Sequence, residues 1–73
     1  MSEKKYTPNQ LAIANAIGSH WPQTAIREHD AGCYEAMVDS NLQTVQSLMG
    51  RFKGICYGPS VLGGVEGRCY IQF

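Results

Sequence analysis

The chain has no excess of charge of either sign. Six Lys and Arg balance six Asp and Glu among its 73 residues, and only 16% of positions are charged. A general nucleic-acid or membrane-surface binder normally carries a basic excess, so both classes lose their usual electrostatic support. Nor is there an apolar run approaching the ~18 residues that span a bilayer. The opening Met1 to Pro8 is polar, and the nearest apolar stretch, Leu11 to Ile17, contains Asn15. That is too short and too mixed for the core of a signal peptide. Cysteine is sparse and odd in number, with Cys33, Cys56 and Cys69 at scattered spacings. A small secreted scaffold usually carries an even, paired set, so reduced thiols and a cytoplasmic location are expected, without a structural disulfide.

What is present suffices for one core. Hydrophobic residues make up 44% of the chain, which argues against a disordered tail. The length allows a single domain, whose core supplies about 3–5 kcal/mol of net stability. Residues 1–6 read as a polar tail and 7–73 as the domain.

Thr7-Pro8 reads as a helix N-cap followed by proline at the first helical position, where the missing N–H costs nothing. Ile13, Ile17 and Trp21 then recur at i, i+4, i+8, and Pro22 ends the helix. Thr24–His29 and Cys33–Val38, separated by Asp30-Ala31-Gly32, form a hairpin in which Tyr34, Ala36 and Val38 share one face. Ser40 and Gln43 stand at capping-box spacing. Leu42, Val45, Met49 and Phe52 continue as a helical stripe with a stop near Gly54. Ile55–Tyr57 and Val61-Leu62 lead into Gly63-Gly64, a two-residue hairpin signal, after which Val65 to Phe73 alternate strictly. The expected fold is α+β, in α-β-β-α-β-β order, with both helices on one face of an antiparallel sheet. The expected core comprises Ile13, Ile17, Trp21, Val38, Leu42, Val45, Met49, Phe52, Leu62, Cys69 and Ile71.

No catalytic set emerges. A structural zinc site usually draws a ligand pair from a C-x₂₋₄-C or H-x₃₋₅-H unit, and the nearest approach is His29-x₃-Cys33. Activation of Cys33 by His29 or His20 would require an oriented base, which the sequence does not supply. Gly58-x₄-Gly63 has phosphate-loop glycine spacing, but Gly64-Val65 stands where Lys and Ser or Thr belong. The expectation is therefore no enzyme activity, no catalytic residue, no metal and no cofactor.

A two-residue turn at Gly63-Gly64 sets Leu62 opposite Val65 and Tyr57 opposite Tyr70. Cys56, Ser60, Leu62, Cys69 and Ile71 then face the helices. Tyr57, Val61, Arg68, Tyr70 and Gln72 share the open face and form the candidate partner-binding set. Tyrosine and arginine are enriched at interface hot spots, although a cross-strand tyrosine pair also simply stabilises a sheet. Pro59 introduces an alternative, because a bulge there shifts the register by one and exchanges the faces. A second candidate is the acidic patch Glu28, Asp30 and Glu35 on the first hairpin, with Asp39 nearby and Arg27 alone opposing it.

The function these features favour is a non-enzymatic interaction module that binds a larger protein. A small inhibitor or modulator of the kind phages and mobile elements encode fits that description. The alternative is a small nucleic-acid-binding domain, with the tyrosines stacking on bases and Arg51, Lys53 and Arg68 contacting phosphates. An edge strand left open by so short a sheet also offers pairing to a second copy.

Overall fold

In the computed structural model, residues 5–60 and 67–73 are described. Val61, Leu62, the Gly63-Gly64 turn, Val65 and Glu66 lie outside the described residues. The elements run α1 (Pro8–His20), β1 (Ile26–Asp30), β2 (Cys33–Val38), α2 (Leu42–Met49), β3 (Cys56–Pro59) and β4 (Cys69–Gln72). This is the expected α+β order. The four strands form an antiparallel sheet in the order β1-β2-β4-β3, so the last strand enters between two earlier ones.

α1 begins as its sequence predicts. The Gln10 amide donates to Thr7 Oγ1 at 3.1 Å, and the Thr7 amide donates to Gln10 Oε1 at 3.0 Å. These reciprocal bonds satisfy two donors that a helix start otherwise leaves unpaired. The same turn also holds distant chain, with Asn9 Nδ2 donating to the Lys53 carbonyl at 2.8 Å and Gln10 Nε2 to the Gly32 carbonyl at 2.8 Å. Tyr6, read as part of the polar tail, packs its ring 4.6 Å from Tyr34 and 6.2 Å from Phe73, centroid to centroid.

α2 differs from its sequence reading at both ends. Asn41, not Ser40, is the N-cap, and its side chain accepts from the Thr44 amide at 2.8 Å. The helix therefore starts at Leu42, whose side chain stays exposed instead of joining the core. It ends at Met49, before Phe52 and Gly54. Phe52 is half-buried beside the core, as is Trp21.

Alternation along the two inner strands builds the core. Tyr34, Ala36 and Val38 of β2, with Cys69 and Ile71 of β4 and Phe73 just beyond it, point to the helix side. Ile13 and Ile17 of α1 and Val45 and Met49 of α2 close over them, all at 0% exposure. Both helices thus cover one sheet face. Gly32 in the β1–β2 turn has φ +75, a conformation that L side chains rarely adopt.

Burial sets the expected mutational pattern. Ile17→Ala removes a fully enclosed side chain and should cost about 2–5 kcal/mol, comparable to the whole stability of a domain this small. Leu42→Ala, at an exposed position, should cost less than about 1 kcal/mol. Chemical denaturation followed by circular dichroism checks both, and equal losses would contradict this account of the core.

Candidate functional site

The helices leave the second face of the sheet uncovered, and strand register decides what stands there. β2 pairs with β4 through Glu35↔Gln72, Ala36↔Ile71, Met37↔Tyr70 and Val38↔Cys69. β3 pairs with β4 through Cys56↔Gln72, Tyr57↔Ile71, Gly58↔Tyr70 and Pro59↔Cys69. Directly opposed residues share a face. The uncovered face therefore carries Arg27 from β1, Glu35 and Met37 from β2, Tyr70 and Gln72 from β4, and Cys56 and Gly58 from β3.

The β3 register differs by one residue from the pairing that a Gly63-Gly64 turn predicts. Tyr57 lies opposite Ile71, not Tyr70, and so belongs to the helix side. A Cβ on Gly50, at the end of α2, would sit 3.5 Å from the Tyr57 hydroxyl oxygen. Cys56 and Ser60 exchange in the opposite sense. Cys56 is exposed, and Ser60 continues the pairing by donating its amide to the Arg68 carbonyl at 2.9 Å.

The physical reason is visible at Gly58. A Cβ there would approach the Tyr70 ring to 2.9 Å at the hydroxyl oxygen and 3.1 Å at Cε2. The ring lies across the bare glycine, shielding its backbone as only a residue without a side chain allows. The same register packs the Tyr57 ring against the core.

Of the sequence-predicted binding set, Tyr70, Gln72 and Arg68 remain on the uncovered face, Tyr57 leaves it, and Val61 lies outside the described residues. Arg68 is also not free, since its Nε donates to Asp39 Oδ1 at 2.7 Å. The acidic patch divides as well. Glu28 pairs opposite Tyr34, and Asp30 sits at the hairpin end, its carboxylate accepting the Ala31 amide at 2.8 Å. Glu35 alone of the three belongs to the middle of the uncovered face. A bulge between Glu28 and Asp30 separates their registers.

Glu35 is the centre of a polar network that sequence spacing alone does not reveal. Its side chain is only 12% exposed. Arg27 Nη2 donates to its Oε1 at 3.2 Å, Gln72 Nε2 donates to its Oε2 at 3.0 Å, and His29 Nδ1 stands 3.8 Å from Oε2. The bond from Gln72 does most to lower the Glu35 carboxyl below its ordinary 4.5, against the burial that raises it. Arg27 and His29 add in the lowering direction. Beside this network is a concavity of about 280 Å³, lined by Arg27, Glu35, Met37, Pro59, Tyr70 and Gln72 among others.

Among the described residues no three His, Cys, Asp or Glu side chains are grouped so as to hold a metal ion. His29 and Cys33, the pair the sequence offers, line one concavity together with Cys56. Among the described residues no helix is long and apolar enough to cross a membrane. Comparison with protein-family models, with curated proteins and with solved structures finds no match to this chain.

Two solution measurements test the geometry. Because the folded Glu35 carboxyl titrates below its unfolded value, its contribution to stability is complete above about pH 4.5 and is lost as pH falls through the lower folded value. The stability difference between wild type and Glu35→Gln should therefore shrink on acidification below pH 4.5, and a difference independent of pH would refute the network. Thiol titration should find Cys33 and Cys56 reactive in the native protein. Cys69, buried and with its thiol pushed up by that burial, should react only on unfolding.

Proposed function

We propose that the protein is a non-enzymatic interaction module that binds a larger protein through its uncovered sheet face. The observation that carries this reading is the cross-strand pair Met37–Tyr70. Two adaptable, half-buried side chains stand side by side on a face that neither helix covers, bordered by Arg27, Gln72 and the Glu35 network. Methionine and tyrosine provide large contact areas, and a surrounding polar rim supplies orientation and excludes water. The size and neutral charge suit a modulator or inhibitor that acts by occupying a surface of its partner.

The nucleic-acid reading draws less support from this arrangement. Its phosphate contacts were to come from Arg51, Lys53 and Arg68. Arg51 stacks on the Phe52 ring at 4.9 Å, and Lys53 belongs to the α2–β3 connection tied to Asn9. Arg68 pairs with Asp39, and Tyr57 is packed against the core, so stacking platform and cations are not assembled together.

Affinity capture from the native host after nuclease treatment tests the reading. Wild type is compared with Met37→Lys and Tyr70→Ala, each first shown to be folded by circular dichroism. A dominant protein partner should survive nuclease and be lost from both variants, with only modest weakening as salt rises. Partners that vanish with nuclease, or that both variants retain, would refute it. Tyr57→Ala should instead lower the thermal midpoint, as expected of a side chain packed against the core.

A further inference from the structure

β4 has a hydrogen-bonding direction as well as two faces. Tyr34 and Phe73 exchange both backbone bonds: the Tyr34 amide donates to the Phe73 carbonyl at 2.7 Å, and the Phe73 amide to the Tyr34 carbonyl at 2.9 Å. Phe73 thus directs its backbone groups towards β2. Along an antiparallel strand this direction alternates from residue to residue. Ile71 and Cys69 therefore also turn to β2, while Gln72, Tyr70 and Arg68 turn to β3. The 2.9 Å bond from the Ser60 amide to the Arg68 carbonyl agrees. On the other side of this seam Cys56 and Gly58 direct their backbone groups inward. Tyr57 and Pro59, opposite Ile71 and Cys69, direct theirs to the outer edge of the sheet. Pro59 has no N–H to donate, and it stands where the ladder needs none.

The register favoured by a two-residue turn changes this. A shift of one residue sets Tyr57 opposite Tyr70, Cys56 opposite Ile71 and Pro59 opposite Arg68. The pairing with β2 fixes the direction of Arg68, so its backbone still faces β3. Pro59 then occupies a hydrogen-bonding position. The Arg68 carbonyl loses its donor, and the pyrrolidine ring is driven between strands about 4.8 Å apart. Cys56, Tyr57 and Gly58 each carry an N–H and meet no such obstacle.

We infer that Pro59 is a register lock for β3 and thereby selects what the uncovered face presents. With the lock in place that face carries Cys56 and the contact between Gly58 and the Tyr70 ring, and Tyr57 packs against the core. Without it, β3 has a second register in which Tyr57 joins Tyr70 on the uncovered face and Cys56 turns to the helices. These are chemically different surfaces: a thiol beside one tyrosine, or a tyrosine pair. The lock goes beyond the docking role proposed above and does not depend on it.

NMR reads the register directly, because α-protons of a non-hydrogen-bonded cross-strand pair lie close together. In the wild type the Ile71 α-proton should contact that of Tyr57. Tyr57→Lys makes the helix side unfavourable for position 57 and so favours the shift. With Pro59 present, this variant should have a lower thermal midpoint and keep the contact between Ile71 and position 57. In Tyr57→Lys/Pro59→Ala the contact should pass to Cys56, and part of the lost midpoint should return. Native reactivity of Cys56 towards thiol reagents should fall by roughly fivefold or more as that side chain turns inward. A shift in Tyr57→Lys alone, or none in the double variant, overturns the lock. Tyr57→Thr serves in the same comparison if lysine at position 57 prevents folding. Pro59→Ala alone tests the direction of the backbone. While Ile71 contacts Tyr57, the new amide at position 59 should exchange rapidly with solvent beside a protected Gly58 amide, and protection at position 59 in that register overturns the inference.

Discussion

The position of β4 between β2 and β3 is the constraint from which the rest of the molecule follows. Cys69 and Ile71 within this strand, and Phe73 just beyond it, enter the core, so Tyr70 and Gln72 must project from the opposite face. Each of these two then meets a neighbour on both sides. Tyr70 stands between Met37 and Gly58, and Gln72 between Glu35 and Cys56. One strand thereby determines the contents of both faces. It also places a carboxylate against an amide donor in a setting where burial without a partner would be costly.

That donor changes what Glu35 is for. A carboxylate projecting from the middle of a sheet ordinarily remains well hydrated and contributes little. Here Gln72 and Arg27 occupy both its oxygens, which holds it ionised and fixes its direction. The uncovered face thus has a rigid polar point beside an adaptable apolar one. Fixed polar groups beside flexible apolar ones combine orientation with tolerance, a pairing suited to a docking surface.

The elements with strong periodicity were legible in the sequence. The alternation in β2 and β4 and the spacing of Ile13, Ile17, Val45 and Met49 each identify a buried face, and the Thr7-Pro8-x-Gln10 start identifies its own cap. What escaped was the β3 register, because Cys56-Tyr57-Gly58-Pro59 has no apolar alternation to anchor it. Turn chemistry pointed one residue away, and Pro59 was the one signal that the register could differ by one. The decisive preference is tertiary: Tyr57 gains the core and Gly58 accommodates the Tyr70 ring. The start of α2 was ambiguous for a related reason, since Ser40 and Asn41 both cap well and only the packing of Val45 and Met49 chooses between them. The Glu35 network was hidden because it joins Arg27 and His29 of the neighbouring β1 to Gln72 of β4, which lies 37 residues further along the chain.

The strand order has a temporal meaning as well. β2 hydrogen-bonds to a partner more than 30 residues further along the chain, whereas its hairpin with β1 is local. Contacts of that separation form late, because a long loop must close before they return any energy. The pairing of β3 with β4 is local in the same way, so the sheet consists of two hairpins joined along a single long-range seam between β2 and β4. That seam brings Cys69 and Ile71 beside Ala36 and Val38 on the helix side, and Tyr70 and Gln72 beside Met37 and Glu35 on the other. Both faces are therefore completed by the same pairing event, and neither hairpin alone carries either of them.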